Sequence, residues 1–276
     1  MCLNYRFTTN IDLINDPPEG IGTLLLDVKT GGASLAGCYE QAEWLAKTMV
    51  KIGTDMGVDT TALITEMDTP IGYTIGNSLE MIESLECIKG RGPVDLEELV
   101  CVQGGIILHK TGLATSHQHG QQLIRQTFQD GSALEKFCAI LGNQGVEKET
   151  LDLLKSGRYE EVFEQAGSVE NIVAQESGYV ESVDALVLGR ACVILGGGRQ
   201  LPGDVIDTSV GIKMRVSKGE EVKEGEVLAE VHHNGRLTQQ IKEHIQSAFV
   251  VGSRCLPVKR VVALVRSNSE TIQYKG

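Results

Sequence analysis

Apolar residues recur along this 276-residue chain in two rhythms, and the change from one to the other marks its organisation. A short unbroken run, Thr23-Leu24-Leu25-Leu26, turns charged at Asp27 and Lys29 and ends in Gly31-Gly32-Ala33-Ser34. A run of that length that ends in glycines reads as a buried parallel strand followed by a flexible loop. From Tyr39 to about Ile52 the rhythm becomes helical, with Ala42, Leu45, Ala46, Met49, Val50 and Ile52 on one stripe. Met56-Gly57 ends that helix, and Val58 to Thr65 reads as a second buried strand. Strand, helix and strand make a βαβ unit with a right-handed crossover. Its first loop lies at the carboxyl end of the strand, where open α/β sheets bind ligands.

Helical stretches with short connections follow. Gly72 and Gly76 flank an irregular loop, and Asn77 or Ser78 caps a helix to about Lys89 that Gly90-Arg91-Gly92-Pro93 stops. Asp95 caps a helix over roughly 96–109, and two more run over about 116–129 and 132–141. Residues 142–174 are polar and weakly periodic, which predicts a linker with a short helix near 159–165. Beyond it the pattern predicts a strand over 177–183, a helix over 185–195 closed by Gly196-Gly197-Gly198-Arg199, and closely spaced turns. A helix over 237–248 and a strand over 270–274 complete the chain. Gly219, Val222, Gly225 and Leu228 repeat every third residue after Val216, the pattern of a barrel-sandwich hammerhead as in biotinyl and lipoyl carriers. A carrier needs its lysine at an exposed hairpin tip well upstream. Lys213 lies only six positions before Gly219, inside a predicted strand, so the module reads as structural. The expected fold is α/β: part of a parallel-sheet domain with a helical layer, plus a C-terminal α+β barrel-sandwich (hammerhead-like) module.

Composition narrows the function. The net charge is −12, and an acidic chain repels phosphate backbones. Aromatic residues are 4% of the chain, too few for stacking platforms on single-stranded nucleic acid. Seven scattered cysteines without a CxxC pair argue for free thiols in a reducing compartment. No apolar run reaches the ~18 residues of a membrane span, and the N-terminus lacks a signal-peptide pattern. The expectation is a soluble cytoplasmic protein. His117-Gln118-His119 and His232-His233 lack completing ligands and read as solvated surface histidines, and Glu80, Glu83 and Glu86 as a solvated helix face. Gly196-Gly197-Gly198-Arg199 fits either an anion cradle or a helix stop. No P-loop, GxGxxG or GxSxG elbow is present, so motifs alone name no reaction.

A set of segments taken in order adds a resemblance. It comprises Glu19-Gly20 with Leu26-Asp27-Val28-Lys29-x-Gly31-Gly32-Ala33, Glu40-Gln41-Ala42 with Leu45-Ala46-Lys47, and Met67-Asp68-x-Pro70-x-Gly72. Gly76-Asn77-Ser78-Leu79-Glu80, Gly92-Pro93-x-Asp95-Leu96, Asp130-Gly131-Ser132-Ala133-Leu134, Leu195-Gly196-Gly197-Gly198-Arg199 and Asp204-x-Ile206-Asp207-x-Ser209-Val210-Gly211 follow. From about Glu19 onward the chain resembles the thymidine and pyrimidine-nucleoside phosphorylases, in the Gly31-Gly32-Ala33 form of the animal members. The resemblance implies reversible phosphorolysis of thymidine or deoxyuridine, with phosphate as co-substrate and no organic cofactor. It also implies a homodimer, and a helical domain hinged to an α/β domain with the active site in the cleft. Such a site must hold phosphate, stabilise the leaving pyrimidine anion and align the two on closure.

The resemblance divides the chain into a divergent tail (1–18), a partial glycosyltransferase-family-3-like α/β domain (19–145), a linker (146–174) and a pyrimidine nucleoside phosphorylase C-terminal domain (175–276). It assigns Leu35 to the base pocket, and Ile71, Thr74 and Glu83 to a monovalent cation site like that of bacterial relatives. The family's Lys-His-Ser run with its glycine-rich loop, and its Ser-Gly-Arg signature, belong upstream of the aligned region, where this chain has neither. Its base-binding serine and lysine positions fall on Ile11 and Asn15, and Pro17-Pro18 breaks the helix that would carry them. No catalytic residue is therefore assigned. The expectation is a C-terminal portion of such an enzyme, a fragment or truncated gene model, inactive alone. The alternatives are a non-catalytic binding or dimerisation protein that keeps the fold, and a related phosphoribosyltransferase, which the β module disfavours.

Overall fold

In the computed structural model, which describes residues 21–254 and 259–274, the first apolar run is a strand, β1 (Thr23–Thr30). Helix α1 (Tyr39–Asp55) returns the chain to β2 (Asp59–Glu66), which runs parallel to β1 in register from Thr23↔Asp59 to Thr30↔Glu66. Ala42, Ala46 and Val50 of α1 are fully buried against Val28 and Ile64 of this pair. Small residues on the helix stripe let it lie close to the sheet. Positions 60–65 of β2 are buried without alternation, as a strand covered on both faces should be.

The opposite neighbour of β2 is not a parallel strand. It is β10 (Val261–Val265), antiparallel to β2 and followed by the antiparallel β11 (Thr271–Gln273), so the sheet order is β1-β2-β10-β11. The sheet is mixed, which corrects the expectation of a parallel one. Its antiparallel half comes from the end of the chain: the strand expected at 270–274 is β11, and β10 carried no expectation.

The helical layer follows as α2 (Asn77–Ile88), α3 (Val94–Lys110), α4 (His117–Gln129) and α5 (Ser132–Asn143). Leu99, Val102 and Ile106 of α3 cover the second face of the first sheet, packing on Leu63, Val261 and Leu264. The stretch expected as a linker is largely structured. It holds α6 (Lys148–Ser156), a 3-10 turn at Tyr159–Glu161 and the strand β4 (Ser168–Val173).

The remaining strands form two sheets. One has the order β3-β6-β8-β4, from β3 (Thr74–Ile75), β6 (Gly211–Met214) and β8 (Val227–His233), with every pair antiparallel. The other is β7-β5-β9, from β7 (Glu221–Val222), β5 (Gly178–Val183) and β9 (Phe249–Gly252). Among the described residues neither sheet closes or curls into a barrel, so the barrel-sandwich expectation is wrong. The physical reason lies in the core. Helices α7 (Ala185–Cys192) and α8 (Gln239–Gln246) send Leu188, Ala191 and Ile245 into the same cluster as Val180, Ile212, Leu228 and Val231. Helices thus share the interior that a closed barrel would fill with strand side chains alone. The repeated glycines set the turns but not the pairing: β3, from upstream of the helical layer, supplies one edge. No described helix is long and apolar enough to cross a membrane.

Candidate functional site

Two loops meet at the carboxyl ends of β1 and β2. The first leaves β1 through Gly31, at φ +116°, where a Cβ would stand 2.7 Å from Asp68 Oδ1. Only glycine allows that approach, and it lets the Gly32 N–H donate to Asp68 Oδ1 at 2.7 Å. The second loop is tied to the first again by Met67 N–H on the Thr30 carbonyl, 2.8 Å. Beneath them, Asp27 accepts from Lys29 Nζ (2.7 Å), Gln103 Nε2 (2.7 Å) and Thr65 Oγ1. Lys29 is thus held on the strands, engaged by Asp27 and Thr65.

Arg260 holds the second loop, and sequence reasoning missed it. Its guanidinium, 3% exposed, donates to Glu66 Oε2 (2.6 Å), Asp95 Oδ2 (2.7 Å) and the carbonyls of Thr69 (2.7 Å) and Pro70. Glu66 in turn accepts from the backbone N–H groups of Asp68 and Thr69, each at 2.9 Å. A buried guanidinium needs several acceptors to offset its desolvation, and these fix the chain from Glu66 to Pro70. The only sequence signal was a basic residue directly before the apolar run Val261–Val265.

Leu35 sits in the first loop and is 78% exposed. An apolar-walled cleft of about 500 Å³ opens beside that loop, between Ala33 and Met67 on one side and Leu186, Arg190 and Ile194 on the other. Thr74 and Glu83 come together at the next turn, while Ile71, three residues before Thr74, packs against the Leu63 and Leu99 cluster. Glu83 Oε1 accepts from Tyr73 N–H (2.8 Å) and Oε2 from Thr74 Oγ1 (2.9 Å). Gly72, at φ +71°, again leaves no room for a side chain, since a Cβ would lie 2.3 Å from Glu83 Oε2. Burial pushes the Glu83 carboxyl above its usual range, with the hydrogen bonds opposing. Among the described residues it forms no ion pair. Glu83 is therefore not part of a solvated face, while Glu86 pairs with Arg91 and accepts from Tyr159.

The Ile11 and Asn15 positions lie outside the described residues, as do Cys2 and Cys255. Cys38 is exposed, and Cys87, Cys101, Cys138 and Cys192 are buried free thiols. Burial pushes Cys87 and Cys192 up to about 11, which leaves them protonated and unreactive. The chain does contain a Ser156-Gly157-Arg158 triplet, far downstream of the family's signature position. It ends α6, with Gly157 left-handed at φ +80° and Arg158 on Glu161. Asp204 closes the turn after the Gly196–Arg199 stretch by accepting from Gln200 and Leu201 N–H. His233 is buried rather than solvated, with its Nε2 3.2 Å from Glu170 Oε1. His232 is mostly buried too, at 18% side-chain exposure. No group of three or more His, Cys, Asp or Glu among the described residues is placed to hold a metal ion.

Residues 15–134 match the model of the glycosyl transferase family a/b domain, and residues 179–252 that of the pyrimidine nucleoside phosphorylase C-terminal domain. The chain is 39% identical over 218 residues to the pyrimidine-nucleoside phosphorylase of Staphylococcus haemolyticus, covering 78% of this chain and 48% of the relative. It is 35% identical over 238 residues to the enzyme of the same name from Staphylococcus epidermidis (85% and 53%). Against the thymidine phosphorylase of Mus musculus it is 36% identical over 240 residues (86% and 51%). The chain therefore spans about half the length of these relatives. Its matches run along most of its own sequence, and the chain belongs to the pyrimidine-nucleoside and thymidine phosphorylase family.

Proposed function

We propose that this chain carries part of a nucleoside phosphorolysis site, in which phosphate attacks the anomeric carbon of thymidine or deoxyuridine. The C–N bond to the base breaks, and the base and 2-deoxyribose 1-phosphate are released. The observation that carries the reading is the loop pair at the carboxyl ends of β1 and β2, joined through Gly32 and Asp68. That is where an α/β sheet of this kind binds its ligand. Leu35, exposed on the first of these loops, would border the base. A homodimer and a cytoplasmic setting belong to the same reading.

The chain lacks the family's Lys-His-Ser run. Without cations to hold phosphate, or donors for the leaving pyrimidine anion, the barrier to C–N cleavage stays high. The purified chain, incubated with thymidine and phosphate, is expected to release no thymine above the blank. Turnover would overturn this and require a site built from residues such as Lys29 and Arg199. A chimera with the upstream half of the S. haemolyticus relative joined before Gly22 is expected to release thymine. A folded chimera without turnover would overturn the phosphorolysis reading and favour a non-catalytic binding or dimerisation role.

A monovalent cation would fit at the Ile71–Thr74 turn, because the Glu83 carboxyl is poorly solvated there and forms no ion pair among the described residues. The backbone carbonyls of Ile71 and Thr74 and the Glu83 carboxylate would hold it. Bound there, the cation would offset the buried charge and stiffen the turn. Potassium chloride is then expected to raise the Tm of the wild type relative to choline chloride at equal ionic strength, and to leave Glu83→Gln unmoved. Equal shifts in both proteins would dismiss the site.

A further inference from the structure

We infer that the cleft between α2 and the outer face of the β3-β6-β8-β4 sheet binds a small organic anion, with its oxyanion head on Lys213, beside His232, and its apolar body against Leu79 and Ile82. The head is a phosphate monoester or a carboxylate. The inference stands apart from phosphorolysis and does not depend on it.

Strand alternation places the cationic groups. Ile212 and Met214 of β6 point into the core, so Lys213 faces the other way. Lys213 is in register with Thr74 on one side and Glu230 on the other. His232 lies two residues beyond Glu230 on β8 and shares its face. Among the described residues the Lys213 ammonium makes no hydrogen bond or ion pair, although the residue is half-buried. Arg215 next to it directs Nε (2.9 Å) and Nη2 (2.6 Å) to one oxygen of Glu230. His232 Nε2 is buried without a hydrogen-bond partner and stands 3.9 Å from Glu230 Oε2, too far to bond.

An ammonium that forms no ion pair among the described residues leaves an unmet demand for an acceptor on this wall. An oxyanion is the small group that answers it. The cleft measures about 510 Å³, within the ~300–1,000 Å³ of small-molecule sites. Leu79 and Ile82 on α2 give the opposite wall an apolar stretch, and Glu83 there would repel a second charge. The ligand therefore carries one charged end only.

Calorimetric titration of the chain with phenyl phosphate, benzoate and inorganic phosphate tests this. At least one aromatic anion is expected to bind saturably and about tenfold more tightly than inorganic phosphate; which one does so identifies the head. Lys213→Met should weaken that binding at least about tenfold, as loss of a charge-assisted hydrogen bond does. Because the Lys213 ammonium has no partner among the described residues, circular dichroism and Tm should stay unchanged. Arg190→Ala, at the other cleft, should bind as the wild type does. Three outcomes would overturn the inference: no saturation below ~10 mM by either aromatic anion, full affinity in Lys213→Met, or loss of affinity in Arg190→Ala alone.

Discussion

The β1-β2-β10-β11 sheet and the pair of sheets around β8 solve the same packing problem differently. In the first, a local βαβ unit makes the frame, and α1 and α3 cover its two faces. The loops it presents are nevertheless held by a residue from the far end of the chain, Arg260. In the second, no neighbouring pair in sequence makes a frame. β8 pairs with β4 and β6, and β5 with β7 and β9, while α7 and α8 join the core between them. Strong local signals thus build the scaffold of the candidate site, and a remote residue sets its loops. In the other region remote pairing builds the scaffold itself.

The sharpest way to break this contrast is to remove the remote anchor. Arg260→Met leaves two carboxylates and two carbonyls without their donor, and breaking a buried pair from one side costs about 3–5 kcal/mol. Urea unfolding should show that loss. Lys51→Met, which removes an exposed pair with Asp55 on α1, should cost under about 0.5 kcal/mol. Equal small losses would mean that the loops hold without Arg260.

A second test compares the two cores directly. Leu228 on β8 is fully buried, and Leu228→Ala should cost about 2–5 kcal/mol. Leu25 lies on β1, an edge strand among the described residues, and is only partly buried. Leu25→Ala should cost about 1–2 kcal/mol, in proportion to the apolar area it covers. A larger loss at Leu25 would show that β1 is covered by something beyond the described residues.

The same contrast explains what was legible in the sequence. Helices α1 to α5 follow from apolar stripes and from stops such as Gly90 and Gly57, because both signals sit within one turn of the residues they govern. β4 escaped because Ser168–Val173 carries only one buried side chain, Ile172, and its partner β8 lies far along the chain. β10 escaped although Val261–Val265 is apolar, since an isolated run does not say which sheet it joins. The barrel-sandwich expectation failed in the same way: Gly219 and Gly225 mark turns, whereas closure depends on which strands pair. At the site, Gly31 and Gly72 were visible as glycines, but the carboxylates that require them, Asp68 and Glu83, were known only once the loops were folded. His233 read as solvated because adjacent histidines carry no burial signal of their own.

The smallest expected effect is a pH dependence with one histidine in each region. Burial lowers His117 on α4, helped by the neighbouring His109 ring and by Arg266 and Lys110. Burial likewise lowers His232 on β8, helped by Lys213 and Arg215 against Glu230. The unfolded imidazole titrates at 6.5, so between the folded value and 6.5 the unfolded chain binds more protons. Stability therefore rises with pH across that window. It is fully present above 6.5 and is lost as pH falls toward the folded value. Glu83 works the other way, because its raised carboxyl takes up a proton in the folded chain first. Its contribution is complete below 4.5 and fades as pH rises through the folded value. His117→Gln and His232→Gln should each flatten the slope of stability against pH just below 6.5, and Glu83→Gln should leave that slope in place. If both histidine variants keep the wild-type slope, neither ring is neutral in the folded chain. If only His232→Gln flattens it, the helical layer opens to water at His117 while the β8 wall stays dry.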